Sequence, residues 1–287
     1  MKQTIPWPIK FGMKVLFGAA RVDYRFLKRA HLVEHGRMED AAFSTEIFNR
    51  HVTEPCTEFA VARAGLLLEL GPGDSVATGI HARKAGFSAA DLVDVGRFAD
   101  LRPAALQRLF ASLGSECPAL ADDATPAQVV ALLSAAGIRY RTEGLKSLEA
   151  IAPGSVGYSF SNTVLQHVFR DDLPALIAHL GRVHSRGSHG SHSVNYSDHF
   201  SGGFWHHKFP DWFMESGLVK RAHLYTNRVT PLRYLELFEG AGFTIRKVSV
   251  DFDHDARQHT EYASASAFRA SVAGRSLYRT TFIVQKN

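Results

Sequence analysis

The stretch that most constrains the fold is Leu66-Leu67-Leu68-Glu69-Leu70-Gly71-Pro72-Gly73-Asp74-Ser75. A short apolar run without alternation reads as a strand covered on both faces, the pattern of a buried parallel sheet. The acid and the two glycines that follow read as a tight turn, because glycine tolerates the backbone geometry and lets amides approach a ligand closely. Glu69 and Asp74 flank that turn with negative charge, so phosphate is a poor ligand for it and a cationic nucleoside a better one.

A second apolar strand, Asp91-Leu92-Val93-Asp94-Val95, closes on Asp94 about twenty residues past the turn, where open α/β sheets place a carboxylate on ribose hydroxyls. Ser75 stands where the dinucleotide fingerprint has its third glycine, which disfavours a nicotinamide-dependent oxidoreductase on the same sheet. Further strands are expected at about 138–141, 156–161, 191–196, 244–250 and 277–284, which makes seven. Helices are expected at about 103–113, from the Thr125 cap and Pro126 to Ala136, at about 173–183, and from Thr230-Pro231 to just before Gly240. Residues 1–60 read as a helical extension and lid, with Phe43, Ile47 and Phe48 as an apolar stripe. His35, Arg37, Asn49 and His51 in that lid read as surface or capping residues more readily than as ligand contacts.

Glu69-Leu70-Gly71-Pro72-Gly73-Asp74, Asp94 and Ser161-Asn162-Thr163-Val164-Leu165-Gln166-His167-Val168 together resemble the class I S-adenosylmethionine-dependent methyltransferases, over about residues 60–287. The resemblance implies an α/β, Rossmann-like, mostly parallel seven-stranded sheet with helices on both faces, here a 61–287 domain behind the 1–60 extension. S-adenosyl-L-methionine is the implied cofactor, with Glu69, Gly71, Pro72, Gly73, Asp74, Asp94, Val95, Glu143, Ser161 and Asn162 in its site. Gly157 departs from the family pattern, which has an aspartate there. The stretches 191–200 and 225–228 look like a bacterial branch associated with sugar and polysaccharide modification. That likeness implies O-methylation of a sugar, glycan or other small hydroxyl, with a natural-product O- or N-methyltransferase or a non-catalytic scaffold as alternatives.

The formal charge of +5 is local. Residues 1–30 hold seven basic side chains against Asp23 alone, whereas the rest holds 26 basic and 27 acidic ones, leaving no surplus to neutralise a nucleic-acid backbone. Ile9, Met13, Leu16, Phe17 and Ala20 recur at helical spacing beside Lys10 and Lys14, which makes a basic amphipathic helix. Such a helix can lie on an anionic membrane through Trp7, but packing against its own domain or a second subunit is the stronger expectation. Two distant cysteines, Cys56 and Cys117, and the absence of a signal pattern or bilayer-length apolar run point to the cytoplasm.

Methyl transfer to a hydroxyl needs alignment and a proton acceptor. His167 and His199 follow strands at ligand-facing ends, so either can serve as the base, with Asp198 orienting it. Seven histidines between His179 and His207 lack the spacing of a metal cage, and no metal is expected. The aromatic segment 201–221 suits either a sugar-binding face or the core of an insertion.

Overall fold

The computed structural model describes residues 6–19, 37–198, 200–254, 257–272 and 277–287. Its sheet has eight strands: β1 (Leu66–Leu70), β2 (Ala89–Val93), β3 (Ile138–Arg141), β4 (Val156–Asn162), β5 (His184–Asn195), β6 (Phe243–Asp251), β7 (His259–Tyr262) and β8 (Arg279–Lys286). They lie in the order β3-β2-β1-β4-β5-β8-β6-β7. The first five pair in parallel, and β6, β7 and β8 join antiparallel. The expected Rossmann-like architecture is present, with one strand more than the seven expected. The added β7 is an edge strand of His259, Thr260, Glu261 and Tyr262 with little burial, so it carries no apolar pattern to announce it.

Alternation along β1 divides the core. Leu66, Leu68 and Leu70 pack with the helices Leu173–Val183, Pro231–Gly240 and Ala265–Val272 through Ile177, Leu180, Phe238 and Phe268. Leu67 faces the other layer, with Ile80, Leu106 and Val129 from the helices Ala77–Lys84, Pro103–Ser112 and Pro126–Ala135. Thr125 caps the last of these in a reciprocal capping box with Gln128, as its sequence signature requires. Met38, Ile47, Phe48, Val52 and Cys56 belong to this second core, so the helical segment ahead of β1 is packed into the fold.

Strand β5 begins at His184, seven residues before the expected start, because its first half is polar. Those polar groups satisfy one another in a buried file that crosses from β5 to β4. Ser188 Oγ donates to the Ser185 carbonyl (2.5 Å), so it must accept from His184 Nδ1 (2.7 Å), which leaves His184 Nε2 to accept from Ser159 (2.7 Å). Ser159 Oγ in turn accepts from His192 Nε2 (3.2 Å), and His192 Nδ1 from Ser161 (3.0 Å). A fixed acceptor at one end thus sets both tautomers. Burial holds His184 down to about 3 and His192 well below the ordinary imidazole value, so both rings are neutral. Gly190 makes room, since a β-carbon there would lie 2.8 Å from Ser159 Oγ and 2.9 Å from His192 Nε2.

Between β5 and the helix Pro231–Gly240, residues 200–228 form a cap with its own small core of Phe200, Met214, Val219, Leu224 and Tyr225. Helix α1 (Trp7–Ala19) lays Trp7, Phe11 and Val15 on it, with Phe11 stacked on Phe209 at 5.3 Å. The expected packing of the N-terminal helix on its own chain is therefore made on the aromatic insertion.

Candidate functional site

Parallel pairing sets Leu70 of β1 opposite Val93 of β2 and Ser161 of β4, so three strand ends deliver their next residues to one edge of the sheet. At that edge Gly71 and Gly73 have φ of 70° and 67°, the left-handed region that favours glycine. The Gly71 amide donates to the Val93 carbonyl (2.8 Å), and a β-carbon on Gly71 would run into the Val164 side chain. Asp94 closes the turn from the neighbouring strand: one carboxylate oxygen accepts from the Gly73 amide (3.2 Å), the other from the Val95 amide (2.7 Å). Burial outweighs those bonds and raises Asp94 to about 6. The next residue, Val95, leaves its side chain 79% exposed.

Glu69 lies under the turn, buried, with Oε2 making no hydrogen bond among the described residues. Burial raises it to about 8, the Thr78 hydroxyl working the other way and the Asp94 charge adding to the rise. Pro72 and Asp74 are buried as well. Asp74 accepts from the Met38 amide (3.0 Å), which ties the segment ahead of β1 to the turn. Glu143 is exposed just past β3, and the next residue, Gly144, donates to the Asp94 carbonyl (2.9 Å).

The end of β4 is held from behind. Asn162 Oδ1 accepts from Ser193 Oγ (3.2 Å) and from His51 Nε2 (3.3 Å), and the other ring nitrogen of His51 accepts from Ser191 (2.8 Å). His51 is fully buried and burial lowers it to about 4, so it is a neutral brace and not the surface residue expected of the lid. Its position four residues after Ile47 puts it on the apolar stripe of that helix, a signal the sequence did carry. With Oδ1 occupied, Nδ2 of Asn162 has no partner among the described residues and can donate to a ligand. Ser161 instead faces the opposite layer and ends the buried file. Gly157 has its own reason: a β-carbon there would meet the Ala64 carbonyl oxygen at 2.6 Å, so the family's aspartate does not fit.

His167 donates from Nδ1 to the Tyr225 carbonyl (3.0 Å), which leaves Nε2 as the acceptor, with Gln166 Nε2 at 3.4 Å. His167 keeps accessible surface, and desolvation of its ring lowers its pKa, partly offset by that carbonyl. Asp198 lies apart from the turn, in the cap. Its carboxylate accepts from the amides of Phe200 (3.2 Å), Ser201 (2.5 Å) and Trp205 (2.9 Å) and from the Ser201 hydroxyl (2.8 Å). Burial opposes its ionisation, but these bonds and His206 at 3.7 Å hold it down to about 2. His199 lies outside the described residues. Among the described residues no three histidines, cysteines or carboxylates are grouped to hold a metal.

No family model and no curated protein matches the chain. Among solved structures it is similar to an S-adenosylmethionine-dependent methyltransferase from Mesorhizobium loti (14% identity, 81% of this chain and 96% of that one, TM-score 0.45). It is also similar to geranyl diphosphate C-methyltransferase from Streptomyces coelicolor A3(2) (15% identity, 79% and 71%, TM-score 0.46). A third is phosphoethanolamine N-methyltransferase 2 from Haemonchus contortus (15% identity, 78% and 49%, TM-score 0.41).

The raised value of Glu69 has a consequence for stability. The folded state keeps a proton that the unfolded chain releases, so stability falls as pH rises from about 4.5 to about 8, by about 1.4 kcal/mol per unit. We expect Glu69→Gln to match the native protein at pH 4 in urea unfolding and to exceed it by roughly 2 kcal/mol or more at pH 8. An equal difference at both pH values would show that Glu69 carries no such penalty.

Proposed function

We propose that this chain is an S-adenosylmethionine-dependent methyltransferase acting on a small hydroxyl acceptor. The observation that carries the reading is the pair of desolvated carboxylates at a two-glycine turn, Glu69 below it and Asp94 closing it. Both lack the full set of donors that a buried carboxylate demands, and a ligand with a diol and cationic groups supplies them. The exposed Val95 beside Asp94 suits a flat purine, and the left-handed glycines keep the turn free of side chains. A pyrophosphate would instead meet the carboxylates of Asp94 and Asp74, which argues against a dinucleotide.

When bound, S-adenosylmethionine supplies an electrophilic methyl group. The remaining work falls to the chain: Asn162 Nδ2 donates to ligand or acceptor, and His167 Nε2 takes the hydroxyl proton, its tautomer set by Tyr225. Residues 1–60 serve as extension and lid, and the Met38 amide on Asp74 links lid position to turn geometry. A sugar or glycan is the acceptor class this reading favours, on the strength of the sequence resemblance.

We expect Asp94→Ala to weaken S-adenosylmethionine binding by about 1.5–3 kcal/mol in calorimetry, the cost of a lost charge-assisted hydrogen bond. Native affinity should hold above pH 7 and fall as pH drops through about 6, where Asp94 protonates and stops accepting. An Asp94→Ala protein that binds like the native one would move the ribose contact elsewhere. His167→Ala should lower turnover at least about a hundredfold with cofactor affinity nearly unchanged. Turnover within about threefold of native would remove His167 as the base.

A further inference from the structure

The cap carries an apolar surface that the site does not use. Helix α1 buries Trp7, Phe11 and Val15, but the opposite side leaves Ile9 56% and Leu16 68% exposed. On the cap itself Trp212 is 76% exposed, Phe204 and Trp205 are exposed as well, and Phe169 is exposed next to Tyr225. These groups are linked ring to ring: Trp7 lies 5.0 Å from Trp205, Trp212 is edge-on to Phe213 at 5.9 Å, and Phe11 is 6.3 Å from Phe213. Scattered single apolar residues need no explanation, but several exposed large ones, two of them tryptophans, on one helix and the cap it packs on do.

The charge around it is net basic. Residues 6–19 and 200–228 together hold six lysines and arginines against Asp211 and Glu215. Both acids are already engaged, Asp211 by Arg228 and Arg170, Glu215 by Lys220, Arg170 and the Tyr225 hydroxyl. Lys208 Nζ sits 4.0 Å over the Trp205 ring and Lys220 Nζ 4.0 Å over the Phe169 ring, so cations stand directly beside exposed aromatics. Tryptophan with flanking lysine is the combination that suits a lipid interface, where the ring enters the headgroup layer and the ammonium meets anionic phosphate. No described helix is long and apolar enough to cross a membrane, so contact would be at the surface.

We propose that this face of α1 and the cap docks on an anionic lipid bilayer. Phe169, two residues from His167, packs against the cap residue Tyr225 at 5.3 Å, which joins the cap to the acceptor side of the site on the reading proposed above.

The test is co-sedimentation of the full chain with vesicles of phosphatidylcholine mixed with phosphatidylglycerol, against phosphatidylcholine alone. We expect binding to the mixed vesicles only, weakened by salt, with Trp212→Ala/Leu16→Glu lowering the partition about tenfold or more and Lys208→Gln lowering it less. Calorimetric binding of S-adenosylmethionine should be the same in all three proteins, which separates lost docking from a lost fold. The proposal is overturned if the native chain binds neither vesicle, if all variants bind alike, or if glycerol phosphate in solution abolishes binding. It is equally overturned if the double variant converts a dimer to a monomer in sedimentation velocity while vesicle binding is absent.

Discussion

The site depends on the placement of β1 between two parallel neighbours. Because Leu70 is level with both Val93 and Ser161, the residues that follow all three strands emerge side by side, and chemistry distant in sequence meets at one edge. A shift of one residue in any of these strands would turn every side chain to the opposite layer, taking Glu69 into the Leu66, Leu68 and Leu70 core. The full burial of β1 on both faces fixes that register.

Two kinds of polar burial sit behind this edge, with opposite consequences. In the file from Ser161 to Ser188 both neutral rings and the Ser159 and Ser188 hydroxyls each donate once and accept once, so it braces β4 against β5 at little cost. His51 does the same on the other layer for Asn162. Glu69 and Asp94 are left short of donors in a desolvated place, which raises both carboxyls. At the turn a ligand can supply the missing donors, whereas the His184–His192 file beneath it is already paired within the protein.

Much of this was legible in the sequence, for identifiable reasons. Leu66-Leu67-Leu68 is an unbroken apolar run ending in an acid, Asp94 falls at a spacing the fold dictates, and Thr125-Pro126 and Thr230-Pro231 announce helix starts by local chemistry. What escaped depends on contacts between distant segments. The polar first half of β5 is held by His184, which reaches Ser159 across the sheet and Ser188 within its own strand, and β7 is an exposed edge strand paired only with β6. Val164 covers Gly71 by a turn at Thr163, with φ of 56°, that no local pattern foretells. Asp198 has the same composition as a site residue, and only its four donors reveal that it organises the cap loop.

The central claim is that the carboxylate-flanked turn selects a cationic nucleoside over a dinucleotide. Calorimetric titration of the full chain with S-adenosylmethionine and, separately, with NAD at pH 7.5 tests it most directly. The account predicts saturable one-site binding of S-adenosylmethionine that Gly73→Val abolishes, and no binding of NAD at the same concentrations. Binding of NAD in preference, or S-adenosylmethionine affinity unchanged in Gly73→Val, would contradict it.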